Sequence, residues 1–235
     1  MSYSAIAMIR AASVLVAFTS LASVARAGSV KGTVLFEGEA PENPTPKREA
    51  DPKCGKDRPD EQVVVTKGHL RDVVVRIKNG TTGTHDAPTT PVTLDQHECT
   101  YSPRVVTIQA GQKVVVKNSD ATFHNVWGQL AGKDLINKQQ GPKAADLTID
   151  PATAKADDVV ELKCGIHPWM HAYVVVDDSP YAAVTDADGK FEIKGLPVGT
   201  YTLEAWHPTL GTKSLQIVIG KGKRGDVTAR FSFKP

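Results

Sequence analysis

Apolar and polar residues alternate with a period of two in one short segment after another of this chain, and the segments are bounded by Gly, Pro and Asp. That pattern predicts half-buried β-strands joined by turns. The predicted strands are Ser29–Phe36, Glu61–Thr66, Leu70–Lys78, Val92–Leu94, Arg104–Gln109, Gln112–Lys117, Val159–Lys163, Tyr173–Val176, Tyr181–Thr185, Lys190–Ile193, Thr200–Trp206, Lys213–Ile219 and Asp226–Phe233. Lys67-Gly68, Ala110-Gly111 and Asp186–Gly189 read as turns between neighbouring strands. Glu37–Pro46 reads as a loop, Asp51–Pro59 as an irregular charged stretch, and Asn79–Pro91 as a Thr-, Gly- and Pro-rich linker. From Trp127 to Asp158 the alternation fades, and only loops or one short strand near Asp146–Ile149 are predicted. The expected fold class is all-β.

The stretch Val160–Val176, VELKCGIHPWMHAYVVV, stands apart because one turn between two strands carries Cys164, His167 and Met170. A thiolate, an imidazole and a thioether are donors that copper favours, and a trigonal His₂Cys site with a weak axial Met is the blue-copper arrangement. The histidine still needed stands upstream in Lys117–Val126, where a polar bend follows a strand and His124-Asn125 re-enters an apolar segment. On these residues, over roughly Val92 to Asp177, the chain resembles the cupredoxins. The Cys-x-x-His-x-x-Met spacing, with Pro168 after the histidine and Trp169 before the methionine, resembles the short ligand loop of the amicyanins. The resemblance implies a Greek-key sandwich holding one type 1 copper ion on His124, Cys164, His167 and Met170. It also implies that His167 has a solvent-exposed edge serving as electron port, with Pro168 and Trp169 as an apolar docking patch. Pro168 has no N–H to offer, which leaves Asn125 and Gly165 as candidates for hydrogen bonds behind the ligands.

Beyond Asp177 the chain becomes a regular β-meander. The phrase TDADGKFEIKGLPVGTYTLEAWHP resembles the carboxypeptidase regulatory-like, transthyretin-type β-sandwich, with Asp and Gly at its turns. The tail alone, at about 55 residues, is short for an independent core. Members of that family begin with a G-x-V-x-F-x-G-type strand, which Ser29–Gly38 is similar to. Residues 28–80 and 179–235 are therefore expected to form one smaller, discontinuous sandwich, with the copper domain of residues 92–177 inserted; two domains in tandem is the alternative.

Residues 1–27 read as a signal peptide: Arg10 in the n-region, Ala11–Val24 as the apolar h-region, and Ala25-Arg26-Ala27 as an A-x-A cleavage signal. The h-region falls short of the roughly 20 residues that span a bilayer, so a periplasmic or secreted protein without a membrane span is expected. The chain has 28 Lys and Arg against 26 Asp and Glu, and Arg10 and Arg26 leave with the leader. The balanced remainder argues against nucleic acid or an anionic membrane as partner. Met1 and Met8 also leave, so Met170 is then the sole methionine, which counts against a role as core filler.

Three cysteines in an exported chain are an odd number. With Cys164 assigned to copper, Cys54 and Cys99 are the candidate disulfide. An alternative places His97 and Cys99 in a second metal site, but in a strand of period two only those two donors converge. His171 reads as a surface residue or a spare ligand, His207 as structural or exposed, and Asp186–Gly189 as an ordinary turn. Paired His-x-His motifs for further copper ions and a G-x-S-x-G elbow are both missing, so an enzyme is not expected. The function expected is single-electron transfer between redox protein partners. The alternative is a non-redox sandwich contacting protein or polysaccharide, its copper site structural or vestigial.

Overall fold

A computed structural model describes residues 27–81, 84–220 and 225–235. The expected signal peptide lies outside the described residues apart from Ala27. The strands run along the chain as β1 (Gly28–Phe36), β2 (Val65–Thr66), β3 (His69–Leu70), β4 (Val74–Asn79), β5 (Val92–His97), β6 (Thr100–Ser102), β7 (Val105–Gln109), β8 (Val114–Asn118) and β9 (His124–Leu130). They continue as β10 (Lys133–Gln140), β11 (Leu147–Ile149), β12 (Val159–Lys163), β13 (His171–Asp177), β14 (Ala182–Val184), β15 (Lys190–Leu196), β16 (Gly199–His207), β17 (Gly211–Ile219) and β18 (Asp226–Phe233).

These strands form two β-sandwiches, and the protein is all-β. In the first, one sheet runs β15-β1-β3-β2 with β18 parallel to β1, and the other runs β14-β4-β16-β17. Val30, Val34, Phe191, Leu203, Ile219 and Phe231 fill the space between. Gly32 is required there, because a Cβ would stand 2.1 Å from the Ala229 carbonyl oxygen of β18. The first and last of the described strands thus share one core. The second sandwich is β5–β13 alone: β10-β9-β12-β13-β7 faces β11-β8-β5-β6 across Leu94, Val116, Val126, Leu162 and Val174. Parallel pairing of β13 with β7 and of β5 with β8 joins strands distant in sequence.

The two sandwiches meet over Val74, Val105 and Val175, flanked by Tyr173 and Trp206. Beside that contact Arg76 of β4 reaches Glu204 of β16 at 2.7 Å and Asp177 of β13 at 3.3 Å. A covalent tie also crosses between them, since Cys54 and Cys99 form a disulfide.

Three sequence expectations need correction. The segment 127–158 holds β9 and a full partner strand, β10, joined through Ala131-Gly132, both at positive φ. β10 is KDLINKQQ and mostly exposed, so no apolar alternation marks it. The strand expected over Glu61–Thr66 shrinks to Val65–Thr66. Glu98 and Cys99 do not continue a strand: both take φ of 51° in the tight turn between β5 and β6, which removes the period-two premise for His97 and Cys99.

Candidate metal centre

At one end of the second sandwich, three buried side chains converge. His124 opens β9, and Cys164 and His167 lie in the turn between β12 and β13. That turn is closed by backbone bonds from Met170 N to His167 O at 2.9 Å and from Cys164 N to Met170 O at 3.3 Å. His124 Nδ1 stands 3.0 Å from His167 Nδ1, and Cys164 Sγ 3.8 Å from His167 Nδ1. All three donor atoms lie within 4.8 Å of one another. Bonds of about 2.0–2.3 Å set roughly 120° apart would separate their donors by about 3.5–4.0 Å; the sulfur-to-nitrogen edge already falls in that range, and a small outward shift of the two nitrogens would open the triangle to an ion. Met170 is wholly buried in the same core cluster.

The hydrogen bonds behind the donors orient each one toward the centre. Asn125 N–H donates to Cys164 Sγ at 3.3 Å, as does His167 N–H at 3.4 Å, and the Gly165 N–H is taken by Asn125 Oδ1 at 3.2 Å. Asn125 and Gly165 thus stand behind Cys164. Sequence reasoning missed two carboxylates. His124 Nε2 donates to Asp120 Oδ2 at 2.9 Å, and His167 Nε2 donates to Asp51 Oδ2 at 3.2 Å. Each carboxylate accepts the Nε2–H hydrogen bond and so turns Nδ1 toward the centre, as outer carboxylates do for metal-bound histidines. Asp120 stands only four residues before His124, yet nothing in the polar bend marked it as that residue's partner; Asp51 carried no local signal either, because the chain brings it from the other sandwich.

Charge at the centre follows from these contacts. Burial alone would lower the His124 pKa, but the Asp120 hydrogen bond and the Cys164 sulfur outweigh it and raise it to about 9. Burial opposes the Cys164 thiolate, yet its hydrogen bonds from His124, Asn125 and His167 pull its pKa below the ordinary thiol value. His167 is held down by burial and by the neighbouring His124, against the pull of Asp51.

The exposed electron port is corrected by the structure. His167 is only 2% exposed, because the turn Pro52–Cys54, capped by Asp51 and tied down by the disulfide, lies over its outer edge. Trp169 is buried too, donating Nε1–H to Cys99 O at 3.0 Å beneath the Arg48 guanidinium, so it offers no docking surface. Pro168 remains exposed. The large apolar side chains left in water here are Phe123 and Ile166, each directly before a histidine of the centre. His171 is half-buried, its Nε2 bonded to Pro168 O at 2.9 Å and away from the triangle. A cleft of about 410 Å³ beside Trp169 and His171 carries Arg58, Arg71 and Arg104, each already ion-paired, with Glu98, Glu61 and Asp60 respectively.

Known proteins resemble the chain in two respects. Residues 167–232 match the carboxypeptidase regulatory-like domain family. Among solved structures the chain is similar to cupredoxins. Amicyanin from Paracoccus versutus matches at 20% identity and a TM-score of 0.33, over 44% of this chain and 97% of that one. The purple cupredoxin of Nitrosopumilus maritimus matches at 21% and 0.31, over 37% and 99%. A copper-containing nitrite reductase from Thermus scotoductus matches at 17% and 0.33 over 44% of this chain, which spans 25% of that enzyme. A search of curated proteins finds no match.

Proposed function

We propose that this protein is a type 1 copper protein of the periplasm or cell exterior, passing single electrons between redox protein partners and catalysing no reaction of its own. The observation that carries the reading is the buried triangle of His124 Nδ1, Cys164 Sγ and His167 Nδ1, with Met170 buried in the same turn. Copper bound there would supply a one-electron couple. The chain's part is to keep the donors fixed: the Asp120 and Asp51 carboxylates hold both imidazoles, and two backbone N–H groups hold the sulfur. A site that rearranges little on gaining or losing an electron exchanges it fast. With His167 covered, the exposed Phe123 and Ile166 supply the apolar surface nearest the centre for a partner to dock on.

The cover over His167 is also the observation that favours a second reading, a binding or scaffold sandwich whose copper site is structural. One experiment tests both. Cu(II) is added to the chain from Gly28 onward, beside Cys164→Ala, and the visible spectrum is followed through a redox titration. An intense thiolate-to-copper band that is absent in the variant and bleaches reversibly on reduction is the expected result. A band that does not bleach supports the scaffold reading, and no band at all overturns both copper assignments.

A further inference from the structure

The outer edge of His167 faces a second set of donors. Its Nε2 stands 3.5 Å from Cys54 Sγ and 3.2 Å from Asp51 Oδ2. Cys99 Sγ also lies within 4.8 Å of His167 and Cys54 donors. A tetrahedral ion with bonds of about 2.0–2.3 Å holds neighbouring donors about 3.3–3.8 Å apart, so the nitrogen-to-sulfur and nitrogen-to-oxygen spacings are already close to those of a ligand shell. The Cα atoms of Cys54 and Cys99 are 5.3 Å apart, near enough for side-chain rotation to spread two free sulfurs along a third edge. Cys54, Cys99 and His167 are all at most 5% exposed, so the ion would be shielded from water.

We infer that Asp51, Cys54, Cys99 and His167 Nε2 form a second metal site, for a thiophilic divalent cation of the zinc class, which exists only when the Cys54–Cys99 disulfide is reduced. The reductant is a dithiol. One of its thiolates attacks a sulfur of the disulfide, its second thiol resolves the mixed disulfide, and the dithiol departs as a cyclic disulfide, leaving Cys54 and Cys99 as thiols. The cation then replaces both thiol protons, which pass to solvent. The Nε2 proton of His167 moves to Nδ1 when the first centre is empty, and to solvent when it is filled. One imidazole thereby joins the two centres, its Nδ1 toward His124 and Cys164 and its Nε2 toward the cysteines from the loop and the turn.

Cadmium(II) titrated into the chain from Gly28 onward, before and after dithiol treatment with the dithiol removed under nitrogen, tests this. In Cys164→Ala, which has no thiolate at the first centre, the reduced chain is expected to take up a single equivalent with a thiolate-to-cadmium ultraviolet band. The oxidised chain is expected to give no such band. Asp51→Ala is expected to weaken that uptake by at least the roughly 10–100-fold that loss of an outer-sphere partner costs. In the native chain, should Cys164→Ala not fold, reduction is expected to add one equivalent to those bound before it. No added equivalent on reduction, an affinity indifferent to Asp51→Ala, or loss of the β-type circular dichroism on reduction would each overturn the inference. Failure of the copper reading shows separately, in the Cu(II) visible spectrum of the oxidised chain.

Discussion

Asp120 ties the candidate centre to the turn beside it. Its Oδ2 accepts from both His124 Nε2 and Cys99 N–H, and its Oδ1 accepts from Glu98 N–H, so one carboxylate orients a ligand and holds the turn that carries the disulfide. Asp120→Asn is expected to weaken copper binding roughly 10–100-fold, measured by competition with a chelator of known affinity. Proton release gives a second check, at its partner His124. With its pKa raised to about 9, His124 is protonated at neutral pH in the metal-free chain, so copper binding near pH 7 must expel that proton. In weakly buffered solution proton release is expected to diminish as pH rises past 9, since the imidazole is then already neutral. The ligand residues were legible because donor chemistry and spacing are local. The carboxylates were not, because an Asp in a polar loop looks the same whether or not a histidine faces it.

At the scale of elements, turns were read more surely than strand ends. Asp186 Oδ1 accepts from the N–H groups of Asp188 and Lys190. Gly189 takes φ of 67°, and a Cβ there would stand 2.5 Å from Val34 O, so the Asp-Ala-Asp-Gly sequence specifies this hairpin. The exposed strand β10 escaped because its register comes from pairing with β9 rather than from an apolar face. His207, ending β16, illustrates a third case. It is 1% exposed, and its Nδ1 accepts from Thr209 and Leu210 N–H. Burial, with Arg104 nearby, depresses its pKa to about 4. A lowered folded-state pKa means that the neutral form stabilises the fold above the unfolded value of about 6.5, and that this contribution, on the order of 3 kcal/mol, is lost as pH falls from about 6.5 through 4. His207→Asn keeps an acceptor for the two N–H groups, so its urea-unfolding free energy is expected to vary less between pH 7 and pH 4 than that of the native chain.

Across the whole molecule, the sandwiches are joined by a buried charge cluster as well as by apolar contact. Arg76 has a side chain 6% exposed and faces Asp177, 7% exposed, and Glu204, 14% exposed. Removing the cation would leave the buried Asp177 carboxylate and the half-buried Glu204 carboxylate without their partner, which costs about 3–5 kcal/mol. Arg76→Ala is expected to lower the free energy of urea unfolding by that amount and to separate the melting of the two sandwiches in calorimetry.

The sequence by itself determined most of the strand pattern and turns and pointed to the candidate donors His124, Cys164, His167 and Met170, because alternation, turn chemistry and donor spacing are written within a few residues of chain. It favoured insertion, with a tandem arrangement as the alternative, and could go no further, since strand pairing across the chain has no local mark. The tertiary structure decided that β1 pairs with β15 and β18, so that strands from before and after the second sandwich share one sheet. It also decided that the outer edge of His167 is covered rather than open. Asp51, which covers it, lies 116 residues away along the chain. Its approach depends on the packing of two cores and on the Cys54–Cys99 bond, not on any property of the ligand loop.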